Sequence, residues 1–227
     1  MDDGFLEKIN NEIDIVFICN PNNPTGVLTS NEFLGKVLDK ALKFNVNVVL
    51  DESFLDFVEE NKEYTSKVFL GKYKNLIIVK SLTKFFAIPG IRIGYGLCGN
   101  NEIVEKVNKV SVPWSINIVA CDGVIKALDE KEYIENTIKY VKKEKEYLYN
   151  SLKKINLLKV FEPSVNFIMF KLLDNFDLRE KMIKESIIIR SCSNYKGLGN
   201  EFYRIAVRSR EENDKLLKSF RNILFDK

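Results

Sequence analysis

The chain has 227 residues, of which 45% are hydrophobic and 30% charged, and its formal net charge is +3. This length is enough for one large or two smaller hydrophobic cores. Acidic and basic residues are interspersed, without the basic stripe that is typical of nucleic-acid binding. No apolar run approaches the roughly 20 residues of a membrane-spanning helix. The absence of histidine excludes Ser-His and Cys-His nucleophile pairs and histidine-ligated metals.

The cysteines and the first residues bear on the compartment. Four cysteines lie far apart without a CxxC pair: Cys19, Cys98, Cys121 and Cys192. This spacing favours reduced thiols over a disulfide framework or a zinc site. The chain starts with the acidic stretch Met1-Asp2-Asp3-Gly4, unlike a signal peptide. We therefore expect a cytoplasmic protein.

Three continuous apolar runs in the first half predict strands that are buried on both faces, as in a parallel sheet: Asp14–Cys19, Val46–Leu50 and Leu76–Val79. Between the first two, the pattern predicts a helix over Glu32–Lys43, opened by a capping box formed by Thr29 and Glu32. A fourth strand is predicted at Ile91–Leu97. Together these elements predict a βαβ unit within an α/β domain that spans residues 1–128.

The second half of the sequence predicts a smaller α+β domain over residues 129–227. Two helices are predicted around this boundary, Asn117–Leu128 at the end of the first domain and Tyr133–Ile155 at the start of the second. The predicted elements that follow are strands at Val160–Glu162, Phe167–Leu172, Ile187–Arg190 and Phe202–Val207, and helices at Leu178–Glu185 and Glu211–Leu224.

Polar motifs follow each of the first three predicted strands. The first strand is followed by Asn20-Pro21-Asn22-Asn23-Pro24-Thr25-Gly26, the second by Asp51-Glu52, and the third by Lys80-Ser81-Leu82-Thr83-Lys84. Each motif alone is accounted for by a turn or a surface residue. In a parallel sheet, however, all three would meet at the edge where ligands bind.

An amide, a carboxylate and an amine at one edge suit pyridoxal 5'-phosphate. The cofactor needs an amine for its aldehyde, a carboxylate for its ring nitrogen and a donor for its ring oxygen. Its phosphate needs hydroxyl groups and a guanidinium, which Ser81, Thr83 and Arg92 can supply.

The same residues carry a resemblance to the class I/II aminotransferases. It rests on Asn23-Pro24-Thr25-Gly26, Asp51-Glu52-Ser53-Phe54, Ser81-Leu82-Thr83-Lys84 and Gly90-Ile91-Arg92-Ile93-Gly94-Tyr95. The resemblance implies the aspartate aminotransferase-like fold, with a mainly parallel sheet in the large domain. It also implies that Asn23 is the ring-oxygen asparagine, Asp51 the pyridinium aspartate, Lys84 the Schiff-base lysine and Arg92 the phosphate arginine.

Within this family the chain resembles the branch of threonine-phosphate decarboxylases, through Ser81–Gly90, Val112–Asn117, Ile189–Tyr195 and Phe202–Ser209. Histidinol-phosphate aminotransferases are the alternative. Phe54 favours the decarboxylases, because many aminotransferases have a tyrosine there. The substrate is then a small phosphorylated amino acid. Arg204 is the candidate for its carboxylate and Arg190 for its phosphate, with Asn194, Tyr195 and Arg208 as further candidates; solvent-exposed arginines are the alternative for these positions.

The resemblance also implies what the chain lacks and how it assembles. Relatives would carry a further large-domain portion before this chain begins, with the loop around the cofactor phosphate and the aromatic residue that stacks on the ring. A catalytically inactive part of such an enzyme is therefore the alternative to an active one. Relatives in the family are homodimers, so we expect a homodimer.

Two motifs point elsewhere. Ser81-Leu82-Thr83-Lys84 fits the SxxK of penicillin-binding enzymes, but the companion SDN and KTG motifs do not occur. Gly94-x-Gly96-x-x-Gly99 fits the dinucleotide-binding fingerprint. The preceding strand is short and interrupted, so we interpret these as strand or turn glycines.

Overall fold

The computed structural model describes residues 3–225, so Met1, Asp2, Asp226 and Lys227 lie outside the described residues. The chain forms two compact units. One comprises Leu28–Glu135 and the residues up to Asn22, and the other comprises Asn23–Val27 and the residues from Asn136 onward. Within residues 3–225, no helix combines the length and the apolar character needed to cross a membrane. The same residues contain no group of three or more side chains arranged to hold a metal ion.

Among the described residues, the first unit contains one sheet and the first six helices. It ends at Glu135, within the long helix that follows them. Its elements are α1 (Asp3–Glu7), β1 (Ile15–Cys19), α2 (Asn31–Lys43), β2 (Asn47–Asp51), α3 (Asn61–Tyr64), β3 (Leu76–Ser81), α4 (Leu82–Phe85), β4 (Gly94–Cys98), α5 (Asn101–Val110), α6 (Ile118–Asp129) and the start of α7 (Lys131–Leu152). Single 3₁₀ turns lie at Leu55–Phe57, Ser66–Phe69 and Pro89–Ile91.

The strands of this sheet lie in chain order, β1-β2-β3-β4. The first two pairings are parallel, as predicted, and β4 pairs with β3 antiparallel. The strand predicted at Ile91–Leu97 begins only at Gly94. Its first residues form the end of a 3₁₀ turn, and Arg92 then adopts a left-handed conformation with φ of 49°, which an extended strand excludes.

Helix α2 covers one face of the sheet. Leu34, Val37, Leu38 and Ala41 recur at helical spacing and are fully buried. The N-cap is Ser30, whose hydroxyl accepts a hydrogen bond from Phe33 N at 3.3 Å. The predicted Thr29–Glu32 capping box is therefore wrong. Thr29 N instead donates to Asn20 Oδ1 at 2.8 Å, and Glu32 pairs with Lys36 at 2.9 Å.

The sequence did not predict helix α5. It is capped by Asn100, whose side chain accepts from Glu102 N at 3.0 Å. None of its residues is buried, and Val104, Val107 and Val110 are 40%, 55% and 82% exposed. Ile103, Val107 and Val110 nevertheless recur at helical spacing, so the sequence contained a signal for this helix that the prediction missed.

The second unit is an antiparallel sheet with helices. Its elements are the rest of α7, β5 (Leu158–Val160), β6 (Phe167–Leu172), α8 (Leu178–Lys184), β7 (Arg190–Ser191), β8 (Phe202–Ala206) and α9 (Arg210–Phe225). The strand order is β5-β6-β8-β7. Side chains from α7, β6 and α9, including Leu148, Phe170 and Phe220, form its core.

The boundaries of two strands in this unit differ from the prediction by two residues or more. The strand predicted at Ile187–Arg190 is reduced to Arg190–Ser191, because Ile187 N donates back to Met182 O at 2.9 Å and so closes the end of α8. The strand predicted at Val160–Glu162 lies two residues earlier, at Leu158–Val160.

Candidate active site

The candidate site of the first unit lies at the carboxyl edge of its sheet. Asp51, the last residue of β2, pairs in register with Cys19 on one side and Val79 on the other. Backbone hydrogen bonds continue past the strand ends, from Asn20 N to Asp51 O and from Glu52 N to Val79 O, both 2.9 Å long. Neighbouring strands are about 4.8 Å apart. The motifs after β1, β2 and β3 therefore leave the sheet side by side.

The carboxylate of Asp51 is half-buried and only partly used. Its Oδ1 accepts a hydrogen bond from Ser53 N at 2.9 Å, which holds the side chain in one orientation. Within residues 3–225 no other group bonds to this carboxylate. The second oxygen is available to a ligand. Burial, and next the negative charge of Asp51, raise the pKa of the neighbouring thiol of Cys19.

Lys84 lies in α4, three residues after the end of β3. Its side chain is exposed, and its Nζ is 3.4 Å from Thr83 Oγ1. Ser81 Oγ lies 2.9 Å from the same Thr83 oxygen. No carboxylate of the described residues forms an ion pair with Lys84. The structure thus brings the amine and the two predicted phosphate-binding hydroxyls into one hydrogen-bonded group.

Arg92 lies in the loop before β4, near the same edge of the sheet. Gly94 pairs with Ser81, and Leu82 N donates to Ile93 O at 3.3 Å, so the backbone of this loop runs beside the residues preceding Lys84. The guanidinium of Arg92 is exposed, and its Nη1 donates to Pro89 O at 3.0 Å.

In the second unit, Arg204 Nη1 donates a hydrogen bond to Asn23 Oδ1. The guanidinium carbon also lies 5.0 Å from the ring centroid of Phe167, which is a cation–π contact. Asn23 and Arg204 are 181 residues apart in sequence. The structure thus joins a predicted cofactor ligand to a predicted substrate ligand.

Arg190 and Arg204 are cross-strand partners in the β7–β8 pairing. Directly opposed residues of an antiparallel pair project to the same face, and two like charges there are unfavourable without an anion. Arg190 Nη2 lies 3.5 Å from Asn194 Oδ1, which places Asn194 beside it. Burial raises the pKa of the Cys192 thiol, and the positive charges of Arg204 and Arg190 partly oppose this rise.

Two further predicted substrate residues are placed differently. Arg208 donates two hydrogen bonds to Glu212, of 3.1 and 2.7 Å, and this contact lowers the pKa of Glu212 to about 2. Its guanidinium is therefore already occupied by a carboxylate. Tyr195 is half-buried in the turn after β7, and its backbone N donates to Cys192 O at 3.0 Å.

The sequence interpretation missed one polar pair at the sheet edge. Lys80 and Asp56 form an ion pair of 2.6 Å, with side chains that are 6% and 28% exposed. The available signal was a lysine at an alternate position of β3 that otherwise carries buried Leu76 and Ile78.

The fold and these residues define a family of pyridoxal-phosphate-dependent enzymes. The family model for aminotransferase class I and II matches residues 3–220, and the chain belongs to that family. The cofactor of this family is pyridoxal 5'-phosphate, as predicted.

The residues at the sheet edge fit this cofactor. Asp51 Oδ2 accepts no hydrogen bond from the described residues, and the Lys84 amine has no carboxylate partner among them. Ser81, Thr83 and Arg92 offer two hydroxyls and a guanidinium for a phosphate.

Three similar proteins place the chain within the family. It is 32% identical to a threonine-phosphate decarboxylase of Salmonella typhimurium, over 98% of this chain and 61% of the relative. It is 37% identical to the adenosylcobalamin biosynthesis bifunctional protein CobDQ of Leptospira interrogans, over 93% of this chain and 24% of the relative.

The crystal structure of a histidinol-phosphate aminotransferase from Clostridium acetobutylicum superposes with a TM-score of 0.94. It is 34% identical, over 99% of this chain and 68% of that one. This superposition confirms the predicted fold. The chain spans 61% of the length of the Salmonella relative.

Proposed function

We propose that the chain belongs to an enzyme that decarboxylates L-threonine O-3-phosphate to (R)-1-aminopropan-2-yl phosphate, a step of cobalamin biosynthesis. The observation that carries the proposal is the placement of Asp51 and Lys84 at neighbouring strand ends, each with a polar atom left for a ligand. The names of the Salmonella and Leptospira relatives support the choice of reaction.

Residues of the first unit are proposed to hold the cofactor. When bound, pyridoxal phosphate supplies an electron-withdrawing ring that stabilises negative charge on the substrate carbon. Asp51 would hold a proton at the ring nitrogen, because a carboxylate favours the charged form of a nearby base. Lys84 Nζ would bond to the cofactor, and Ser81, Thr83 and Arg92 would bind its phosphate.

Asn23 is proposed to donate its amide to the ring oxygen of the cofactor. Arginine carries only hydrogen-bond donors, so the bond from Arg204 identifies the Asn23 atom it meets as the oxygen. The amide nitrogen Nδ2 then points away from Arg204 and is the donor that a phenolate oxygen requires.

Arg204 is proposed to bind the substrate carboxylate and thereby select the bond that breaks. Only a bond perpendicular to the cofactor ring overlaps its π system, so a decarboxylase must hold the carboxylate in that direction. A planar guanidinium binds a carboxylate through two parallel hydrogen bonds and fixes its plane. The contacts with Asn23 and Phe167 restrict the orientation of this guanidinium before substrate binds.

Arg190 is proposed to bind the phosphate group of the substrate, with Asn194 and Tyr195. Support comes from its position opposite Arg204, which presents two positive charges to one doubly anionic molecule. Arg208 could bind this phosphate only if the substrate displaced Glu212 from its guanidinium. Among Arg190, Asn194, Tyr195 and Arg208 it is therefore the weakest assignment.

An aminotransferase acting on histidinol phosphate is the second candidate. It is favoured by the superposition on the Clostridium acetobutylicum enzyme. Phe54 favours the decarboxylase, because it has no hydroxyl to give the cofactor oxygen and its ring packs instead against Phe57, at 6.4 Å between centroids. An inactive part of such an enzyme is the third possibility, in line with the 61% coverage of the Salmonella relative.

Cofactor binding is tested by mixing the chain with pyridoxal phosphate, recording the visible spectrum, reducing with borohydride and mapping the label. We expect a visible band and a label on Lys84, and neither in Lys84→Ala. Lys67→Ala is the matched control, because Lys67 is an exposed lysine of the same unit. A label spread over surface lysines would contradict the assignment and favour the inactive alternative.

The reaction is tested by supplying threonine phosphate and measuring carbon dioxide. Two proteins are assayed. One is the chain itself, and the other is the chain fused to the part of the Salmonella relative that the match does not cover. We expect carbon dioxide without a requirement for an amino acceptor. Transfer of the amino group from histidinol phosphate to 2-oxoglutarate, with no carbon dioxide from threonine phosphate, would establish the aminotransferase instead.

A homodimer is proposed as the working assembly. Support comes from exposed apolar side chains of the first unit, with Val110 at 82%, Trp114 at 97% and Ile118 at 77% exposure. Light scattering of the purified protein should give twice the chain mass of 26.3 kDa. A single-chain mass at micromolar concentration would contradict this assembly.

A further inference from the structure

The ion pair between Lys80 and Asp56 is unusual because it is largely withdrawn from water. The Lys80 side chain is 6% exposed, and its Nζ lies 2.6 Å from Asp56 Oδ1. Removing two charges from water costs free energy that their attraction often fails to recover, so apolar replacements of similar volume are often neutral or stabilising. Stability alone therefore does not account for this pair.

The pair joins the two chain segments that carry the proposed cofactor residues. Lys80 precedes Ser81 at the end of β3 and lies four residues before Lys84. Asp56 lies in the 3₁₀ turn Leu55–Phe57, five residues after Asp51. The β2–β3 hydrogen bonds run only as far as Glu52 N to Val79 O. Beyond that bond β3 no longer pairs with the β2 segment, although Lys80 and Ser81 still pair with β4. Side chains must therefore set the distance between the two segments.

A second contact supports the same junction on its apolar side. The rings of Phe57 and Phe85 lie 5.2 Å apart between centroids, and Phe85 directly follows Lys84. Tyr133 Oη donates to Phe85 O at 3.2 Å and so holds the backbone after Lys84. Ring packing is compatible with sliding, whereas a charge-assisted hydrogen bond of 2.6 Å is directional.

We propose that Lys80 and Asp56 are positioning residues that fix the Asp51 loop against the Lys84 turn. The inference rests on the proposed cofactor roles of Asp51 and Lys84 for its purpose, although the positioning itself is a property of the unliganded chain. Lys80 does not compete with Lys84 for an aldehyde, because its amine is buried and bound to a carboxylate.

The positioning is tested first without cofactor, by amide hydrogen exchange on the full chain. The variants are Lys80→Met with Asp56→Leu, and Lys80→Arg, which keeps the charge. In the apolar double variant we expect exchange over residues 52–57 and 81–86 to accelerate about tenfold, with β1 unchanged as the internal reference. Lys80→Arg, which keeps the charge pair with Asp56, should exchange like the parent chain. Unchanged exchange in the double variant would overturn the proposal.

The consequence for the cofactor is tested with the same variants. We expect pyridoxal phosphate to bind the double variant at least tenfold more weakly, with a shifted visible band, at a thermal midpoint equal to or above that of the parent chain. Parent-like affinity and spectrum in the double variant would show that the pair is merely structural, and would overturn the proposal. If the parent chain itself forms no adduct at Lys84, the proposed function fails, while the exchange result still decides the positioning role.

If the double variant does not fold, Lys80→Gln with Asp56→Asn, which removes both charges but leaves polar side chains of similar size, is compared with Lys80→Arg by the same exchange measurement. Local acceleration restricted to the two segments supports positioning. Acceleration spread uniformly over the first unit overturns it.

Discussion

Adding a single methyl group at Gly94 should both destabilise the first unit and disturb the candidate site. A Cβ built on Gly94 would lie 2.5 Å from the carbonyl oxygen of Lys80, which is a backbone atom. The closest carbon–oxygen contacts in sheets are about 3.3 Å, so the overlap is about 0.8 Å. Because neither backbone atom can rotate away, β4 must move from β3.

The expected cost is about 2–4 kcal/mol, toward the upper end of overpacking effects because the clash is with backbone. Gly123→Ala is the matched control. Gly123 lies inside α6, and a Cβ there meets no atom within 4 Å. In a helix interior, alanine is more stable than glycine by about 0.5–1 kcal/mol.

Thermal unfolding followed by circular dichroism separates the two variants. For a chain of this size, 1 kcal/mol shifts the midpoint by about 2–4 °C. Gly94→Ala should therefore melt several degrees below the parent, and Gly123→Ala at or slightly above it. Since Gly94 pairs with Ser81, Gly94→Ala should also weaken cofactor binding. Equal midpoints for the two variants would refute the close approach of β4 to β3.

Three further predictions concern single side chains. Arg208→Ala should raise the pKa of Glu212 from about 2 toward its ordinary value of 4.5, as measured by NMR titration. Because the folded pKa is the depressed one, the stability from this pair is complete above pH 4.5 and is lost as the pH falls toward 2; a parent-like acid-unfolding curve in the variant would contradict this. Asn20→Leu should cost about 2–4 kcal/mol in urea unfolding, because the buried amide makes two hydrogen bonds to loop backbone. Phe170→Ala should cost about 3–5 kcal/mol, because its fully buried ring leaves a cavity in the second core; a loss below 1 kcal/mol would argue against that packing.

The elements that the sequence predicts well are those with a strong local pattern. Strand β6 lies at the predicted residues, and β1 to β3 lie within two residues of theirs. Their short continuous apolar runs have the length that is typical of strands buried on both faces. Helix α5 was missed although Ile103, Val107 and Val110 recur at helical spacing, and β7 was shortened because Ile187 N bonds back to the end of α8.

The candidate site divides in the same way. Asp51 and the Ser81–Lys84 turn could be placed from sequence, because each lies at the end of a recognisable strand and parallel strands end at one edge. The bond between Asn23 and Arg204 joins residues that only the tertiary fold brings together, so no local pattern indicates it. The partner of Arg208 was equally invisible, since a charged residue four positions away is common on any helix surface.

The strand order of the first sheet has a consequence for how such a protein can vary. Because β1, β2 and β3 are neighbours in the same order as in the chain, backbone hydrogen bonds fix the pitch between successive polar motifs at about 4.8 Å. The turns that enter β2 and β3 lie at the opposite edge and play no part in that pitch. Insertions there should lengthen the protein while leaving the separation of the candidate site residues unchanged, so related sequences can differ in length at the edge opposite the candidate site.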